Sequence, residues 1–239
     1  MLKYNTFSIT ARCRRTGELG VAVSTKVPAV GMLCPFVRSH VGAIASQSFV
    51  NPYLGLWGLE YLAEGHSAQE TLAHLRGRDA GIEYRQLGIV DAHGGSAAFT
   101  GAKCDTWNGD LTGPDYAVAG NMLVGAETLT AMQESFETDV TRPLVERLLA
   151  ALSAGQEAGG DKRGRQSAAV KVYSTEDYPA LDLRVDEHPD PVAELQRVYD
   201  VARESLVPLL EMLPTRDHPE GTFDFQRSRQ LGLLQDDAH

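Results

Sequence analysis

The segment TFSITARCRRTGELGVAVST, residues 6–25, decides the fold. Its first part, Thr6 to Arg12, alternates in the manner of a β-strand, and its last part, Leu19 to Thr25, is a strand of small apolar residues. Between them the turn-forming residues Arg15-Thr16-Gly17-Glu18 reverse the chain direction. The segment therefore predicts an antiparallel β-hairpin.

The rest of the chain shows further strand and helix patterns. Further strands are predicted at Val41 to Ser48, Tyr84 to Asp91, Ser96 to Gly101, Tyr116 to Asn121, Gln166 to Ser174 and Leu181 to Val185. Helices are predicted at Tyr53 to Ala63, after the capping box Ser67-Ala68-Gln69-Glu70, at Ala126 to Glu137, at Arg142 to Ala154 and from Pro191 to about Leu213. Strand blocks that are each followed by a helix pair favour an α+β fold, and we expect a four-layer αββα sandwich of antiparallel sheets.

The chain has 239 residues, which suits one large core, so residues 1–213 are predicted to form a single domain. Residues 214–239 are polar and rich in turn formers. We expect them to form an appendage on the surface or on a neighbouring subunit.

Charge narrows the range of partners. The formal net charge is −10, from 22 basic and 32 acidic residues, so nucleic acid and anionic membranes are not expected as partners. No signal peptide or stretch long enough to span a membrane is evident, and we expect a cytoplasmic protein.

Neither a metal nor a cofactor is expected. The three cysteines are widely spaced and lack a C-x-x-C pair, which predicts reduced thiols rather than disulfides or a zinc site. The seven histidines show no metal-binding spacing, and no Gly-x-Gly-x-x-Gly follows a strand, so nicotinamide and flavin cofactors have no support.

Several motifs together resemble a known family. The hairpin is similar to the opening hairpin of N-terminal-nucleophile (Ntn) hydrolases, in particular the plant-type asparaginases. More closely, the chain resembles the bacterial family called domain of unknown function 1028, from about residue 6 to the DEHPDP stretch and the helix after it. The motifs that carry this resemblance are TFSI, TGELGVAV, SQSFVNP, RQLGIVD and GGDKRGRQSAA. The resemblance implies an Ntn-hydrolase-like sandwich.

Under that resemblance Thr6 is the candidate nucleophile. In an Ntn hydrolase the free α-amine of the first residue serves as the base for its own side chain. Thr6 departs from this pattern because MLKYN precedes it, so cleavage between Asn5 and Thr6 would be needed. The alternative is that Thr6 is an ordinary β-branched strand residue.

The end of the returning strand supplies two further candidates. Hairpin pairing brings Thr25 and Lys26 close to Thr6. The resemblance implies that Thr25 orients the nucleophile and that Lys26 lowers its pKa or binds a carboxylate. The alternative is a polar strand end that enters a loop.

The loop GGDKRGRQS, residues 159–167, is the most concentrated polar motif. Its cations and glycines indicate a carboxylate or phosphate site, although charged loops are also common on surfaces. The candidate substrate-binding residues of this loop are Asp161, Arg163, Arg165 and Ser167. If they serve Thr6, the loop must converge with the ends of the hairpin strands.

Three amide side chains lie at or near strand ends. Gln47, Asn51 and Asn121 are candidates to donate to an oxyanion or to recognise a substrate amide. Each is equally compatible with capping a turn.

Two functions follow from these residues. The first is an amidohydrolase that cleaves an amide bond in a small carboxylate-bearing metabolite. The second is a non-catalytic module on the same fold that binds a small anion at the 159–167 loop. In either case we expect a homo-oligomer, a dimer, because the long final helix and the tail leave apolar surface to cover.

Overall fold

The structure is a computed structural model and describes residues 6–230 and 232. Within these residues the strands are β1 (Thr6–Arg12), β2 (Leu19–Thr25), β3 (Pro35–Arg38), β4 (Gly42–Ser48), β5 (Arg85–Asp91), β6 (Ser96–Thr100), β7 (Gly109–Gly113), β8 (Tyr116–Asn121), β9 (Ser167–Tyr173) and β10 (Leu181–Val185). The helices are α1 (Pro52–Ala63), α2 (Ala68–Arg78), α3 (Glu127–Thr138), α4 (Leu144–Glu157), α5 (Pro191–Ser205), α6 (Val207–Leu210) and α7 (Phe225–Gln230).

These strands form two antiparallel sheets. The six-stranded sheet has the order β10-β9-β2-β1-β8-β7, and the four-stranded sheet has the order β3-β4-β5-β6. In the hairpin, Thr6 lies opposite Thr25 and Arg12 lies opposite Leu19. The predicted α+β class, the antiparallel sheets and the central β1–β2 hairpin are therefore confirmed.

Apolar clusters show how the layers stack. Between the sheets lies a cluster of small and branched side chains from both of them: Leu19, Val21, Val23, Ala43, Ala45, Val90 and Ala169. A second cluster joins the outer face of the four-stranded sheet to α1 and α2: Ile44, Leu54, Leu62, Leu75, Leu87 and Ile89. On the outer face of the six-stranded sheet, a Cβ built on Gly155 of α4 would lie 3.4 Å from the Phe7 ring. Helices thus cover the outer faces of both sheets, which is consistent with a sandwich.

Two strands were not predicted from the sequence. β3 is only four residues long and begins with proline, and β7 begins and ends with glycine. Both lie at an edge of their sheet, where a strand pairs on one side only and its side-chain pattern is weak.

The helix predicted to run from Pro191 to about Leu213 is wrong in its length. It ends at Ser205, and a short helix follows at Val207–Leu210. Pro208 has no N–H to donate to the preceding turn, and its ring would clash with the carbonyl four residues earlier in a continuous helix.

The chain divides into two compact units, one that ends at Leu195 and one that begins at Gln196. In the second unit, Arg227 forms an ion pair with Glu211. The domain boundary predicted after Leu213 stays a prediction. Among the described residues, no helix has both the length and the apolar character needed to cross a bilayer.

Polar side chains also link the two sheets. Gln86 of β5 is fully buried, and its Nε2 donates to the carbonyl oxygen of Gly120 on β8 at 2.8 Å. Its Oε1 accepts from Gln47 Nε2 at 2.8 Å and from Asn121 Nδ2 at 2.9 Å. We call Gln47, Gln86 and Asn121 the amide cluster. Because it joins side chains of β4, β5 and β8, it fixes the position of one sheet against the other.

Replacing the central amide should therefore be costly. We expect Gln86→Leu to lower the free energy of unfolding by about 3 kcal/mol, because it leaves buried amide and carbonyl groups without partners. Urea denaturation measures this change. The matched control is Gln69→Leu, on the exposed first turn of α2, which should change stability by less than about 0.5 kcal/mol. Equal stability of the two variants would contradict the role given to Gln86.

Candidate functional site

Four polar residues form one row across the six-stranded sheet. Thr6 of β1 lies opposite Asn121 of β8 on one side and opposite Thr25 of β2 on the other. Thr25 in turn lies opposite Ser167 of β9. Directly opposite residues of antiparallel strands point to the same face, so these four side chains share a face, and we call them the polar row. Each of them is at most 1% exposed.

The polar row faces the four-stranded sheet. Thr10, on the same face of β1 as Thr6, donates to the carbonyl oxygen of Gly88 on β5 at 3.5 Å. At the end of the row, Asn121 Nδ2 of β8 donates to Oε1 of Gln86, which also lies on β5. The row thus lies between the two sheets, at the N-terminal end of β1.

The hydroxyls of Thr6 and Thr25 form the central contact. Thr6 Oγ1 donates to Thr25 Oγ1 across 3.2 Å. Burying a hydroxyl without a hydrogen bond is costly, so this contact keeps both groups compatible with the interior. It also fixes the direction of the Thr6 hydroxyl. The partner of Thr6 is therefore Thr25, whereas Ser24 donates to the carbonyl oxygen of Ser167 at 3.3 Å.

The three predicted amides lie in different places. Asn121 belongs to the polar row, and its Nδ2 carries a second hydrogen besides the one donated to Gln86. Gln47 donates to Gln86 and to the carbonyl oxygen of Ala119, so it belongs to the neighbouring amide cluster. Asn51 caps α1 by accepting from Tyr53 N at 3.1 Å and is outside both groups.

The 159–167 loop meets the hairpin beside Thr25. Asp161 is 4% exposed, and its carboxylate accepts from the backbone N–H of Lys26 at 3.1 Å. It also accepts from the Arg163 backbone N–H at 2.9 Å and from the Arg163 guanidinium at 3.1 Å. Two strand spacings separate Thr6 from Ser167, which is about 10 Å. The structure therefore brings together the distant segments that the sequence analysis expected to converge.

The cations of this region contact groups within the chain. Lys26 is exposed, and its ammonium donates to the carbonyl oxygen of Arg165 at 3.2 Å. Arg165 pairs with Asp190 at 2.9 Å, and Arg163 pairs with Asp161. Lys26 thus contacts the loop, while Thr25 contacts the Thr6 hydroxyl.

Ser167 shapes the segment that leaves β2. Its hydroxyl donates to the carbonyl oxygen of Val27 and accepts from Val30 N at 3.2 Å. Because both contacts are to backbone groups, Ser167 holds the chain that follows Thr25 in place.

The cysteines are poor candidates for a nucleophile. All three are free and buried, and Cys34 is 1% exposed. Burial raises the pKa of the Cys34 thiol to about 12, so the reactive thiolate is scarce near neutral pH. Within residues 6–230 and 232, no three His, Cys, Asp or Glu side chains are grouped so as to hold a metal ion.

Gln86 is the residue of this site that sequence reasoning missed. Its signal was available, since it is the amide in the otherwise apolar part of the RQLGIVD strand. A buried amide of this kind needs partners, and here those partners are the two predicted amides Gln47 and Asn121.

Comparison with known proteins places the chain in a family. The model described as "Family of unknown function (DUF1028)" matches residues 6–195. Among solved structures, protein SPO2555 from Silicibacter pomeroyi, described as family-model DUF1028, is 31% identical, with 98% of this chain and 99% of that chain covered and a TM-score of 0.85. Anbu (ancestral beta-subunit) from Yersinia bercovieri is 14% identical, with 87% of this chain and 98% of that chain covered and a TM-score of 0.38. A search of curated proteins finds no match. The family model spans most of the chain, and the chain therefore belongs to the DUF1028 family of unknown function.

Proposed function

We propose that this protein is an amidohydrolase of the Ntn type, on an Ntn-hydrolase-like version of the sandwich, with Thr6 as its nucleophile. The observation that carries the proposal is the 3.2 Å contact from Thr6 Oγ1 to Thr25 Oγ1 at the beginning of β1. A nucleophilic hydroxyl needs a fixed direction, and this contact supplies one. The buried Cys34 thiol offers no comparable alternative, because its pKa is raised.

The proposal requires that Thr6 become the first residue of the chain. In this maturation step Thr6 Oγ1 attacks the carbonyl carbon of Asn5, and the C–N bond between the two residues breaks. The nitrogen takes the hydroxyl proton and becomes the α-amine of Thr6, while an ester joins Asn5 to Oγ1. Water then hydrolyses the ester, which leaves Asn5 with a carboxylate and Thr6 with a free amine and hydroxyl.

Turnover then follows the same chemistry on a substrate amide. The α-amine takes the proton of Oγ1 as this oxygen attacks the substrate carbonyl carbon. The proton passes to the departing nitrogen when the C–N bond breaks, and an ester to Thr6 remains. Water hydrolyses the ester and releases the acid. In this scheme Thr25 orients Oγ1, and the second N–H of Asn121 donates to the oxygen that gains negative charge.

The charged residues contribute less to this proposal. Lys26, Arg163 and Arg165 all make contacts within the chain, so none of them is assigned to the reacting atoms. A small carboxylate-bearing amide stays the proposed substrate class. The competing hypothesis, a non-catalytic anion receptor at the 159–167 loop, has weaker support because the same internal contacts already use its cations.

The first test is the mass of the purified protein. We expect a full-length chain with a C-terminal tag to lose residues 1–5 and to begin at Thr6, because the proposed base is the free α-amine. Intact-mass spectrometry and N-terminal sequencing measure this directly. Thr6→Ala should stay unprocessed, since it lacks the attacking oxygen, whereas Thr6→Ser should still be cleaved. A mature chain that retains residues 1–5 and yet turns over amides would rule out the α-amine as base.

The second test separates the roles of the two threonines. A panel of p-nitroanilides of acidic and neutral amino acids serves as substrate, with release of p-nitroaniline as the readout. We expect Thr6→Ala to abolish turnover and Thr25→Val to lower kcat by roughly 10²-fold with little change in KM, because Thr25 only positions Oγ1.

The matched control for these variants is Thr10→Val. Thr10 lies on the same strand and the same face, and its hydroxyl donates to Gly88 rather than to the polar row. Its kcat should equal that of the unmodified protein. Full activity of Thr6→Ala, or equal losses in Thr10→Val and Thr25→Val, would end the proposal.

A further inference from the structure

A cavity of about 510 Å³ lies at the other end of β1. Thr6 and Arg12 are the two ends of this strand, so about 20 Å separates the cavity from the polar row. The turn between β1 and β2, the turn between β7 and β8, and the end of α3 with the loop that follows it supply most of the remaining walls. The lining of the cavity includes Arg12, Arg14, Arg15, Pro114, Val140 and Arg147. We call this space the arginine cavity.

The arginine cavity is basic in an acidic protein. Four arginines and two carboxylates line it, while the whole chain has a formal charge of −10. The carboxylate of Asp115 is shared by Arg12 at 2.9 Å and Arg14 at 2.8 Å. Glu137 accepts from the Tyr116 hydroxyl. The two carboxylates are thus engaged on the walls, and an excess of positive charge remains.

Arg147 is the most unusual of these cations. It is 8% exposed, and its guanidinium lies over the Phe136 ring at 3.9 Å. Its Nε and Nη2 donate to the carbonyl oxygen of Phe136 at 3.2 and 2.8 Å. In the part of the chain that the structure describes, no carboxylate lies within 4.0 Å of it. Burial lowers its pKa, because the nearby charges of Asp139 and Asp115 only partly offset the loss of solvent around the guanidinium.

Two other arginines offer donors beside it. Arg15 is exposed, and its Nη2 donates to the carbonyl oxygen of Thr141 at 3.3 Å. Counting only the residues described, Arg15 has no carboxylate partner within 4.0 Å either. Arg12 Nε is buried and has no hydrogen-bond partner among the atoms of the described chain. An anion in the cavity would supply acceptors for the N–H groups of Arg15 and Arg147 that do not donate to carbonyl oxygens.

The uncharged walls indicate the rest of the ligand. Pro114, Phe136 and Val140 are apolar, and Val140 is 62% exposed although it lines the cavity. A volume near 510 Å³ is in the range of sites for small organic molecules. Guanidinium groups hold carboxylates through paired N–H donors, and apolar walls favour a ligand with an apolar body.

We propose that the arginine cavity is a binding site for a small organic carboxylate with an apolar body, held by Arg15 and Arg147. The site does not depend on the function proposed for Thr6, because it lies at the opposite end of β1. Its ligand carries a single negative charge and an aromatic or aliphatic portion that packs on the exposed Pro114 and Val140.

The test uses the full chain and isothermal titration calorimetry. The probes are 3-phenylpropionate, its neutral analogue 3-phenylpropionamide, and inorganic phosphate. We expect 3-phenylpropionate to bind with a Kd in the millimolar range, as suits a ligand of its size, and the amide and phosphate to bind at least about tenfold more weakly. A phosphate that binds as tightly as 3-phenylpropionate, or an amide that does so, would overturn the proposal.

Variants then assign the binding to the cavity. Arg147→Gln and Arg15→Gln should each weaken 3-phenylpropionate binding by about tenfold or more. The control is Arg142→Gln, which removes the same charge from the neighbouring segment but from a residue outside the lining that pairs with Glu146. Its Kd should stay within about twofold of the unmodified protein.

Arg147 also contacts the Phe136 carbonyl, so its variant is first checked for folding by circular dichroism. If Arg147→Gln does not fold, Arg15→Gln decides the outcome, because Arg15 is exposed. Absence of binding by the unmodified protein, or an equal Kd for Arg15→Gln and Arg142→Gln, would refute the proposal.

Discussion

The hydrogen bonds of Gln86 are the contacts on which the arrangement of the two sheets depends. Gln86 Nε2 donates to the carbonyl oxygen of Gly120 in the six-stranded sheet. Its Oε1 accepts from Asn121 of that sheet and from Gln47 of its own sheet. The space between packed sheets is about 10 Å and is filled here by small apolar side chains, which set no fixed position along the strands. The amide network sets one, because its hydrogen bonds join atoms of both sheets and would lengthen or break if one sheet slid along the other.

The pairing register of β1 determines which way the polar row faces. Thr6 faces the second sheet because β1 pairs with β2 and β8 in one register, and a shift by one residue would turn Thr6 towards the helices. Asn121 belongs both to the polar row and to the amide cluster, so the hydroxyl pair of Thr6 and Thr25 is tied to the contact between the sheets. The chemistry proposed for Thr6 therefore depends on how uncharged polar side chains pack between the two sheets.

The sequence allowed the centre of the fold to be predicted more reliably than its edges. β1 and β2 were found at their observed bounds, because alternation, a turn and a small-residue strand agree over residues 6–25. The proximity of Thr6 and Thr25 could also be predicted from the pairing of the hairpin strands. Convergence of the 159–167 loop was expected only from the chemistry of the Ntn-like interpretation, because the pairing of β9 with β2 has no signal in local sequence. By contrast, pairing of Arg165 with Asp190 depends on tertiary structure and has no signal in local spacing. The arginine cavity was missed for the same reason, since Arg147 lies on a helix far along the chain from Arg12.

β3 and β7, the two strands that were not predicted from the sequence, affect how this protein can contact other chains. An edge strand exposes unpaired backbone groups that a strand of another molecule can extend into a larger sheet. β3 offers only four residues and begins with Pro35, which has no N–H to donate, while β7 is five residues long with glycine at both ends. The edges at β3 and β7 therefore give an incoming strand few hydrogen bonds and little side-chain surface. The shortness of these two edge strands thus protects these edges against edge-to-edge aggregation.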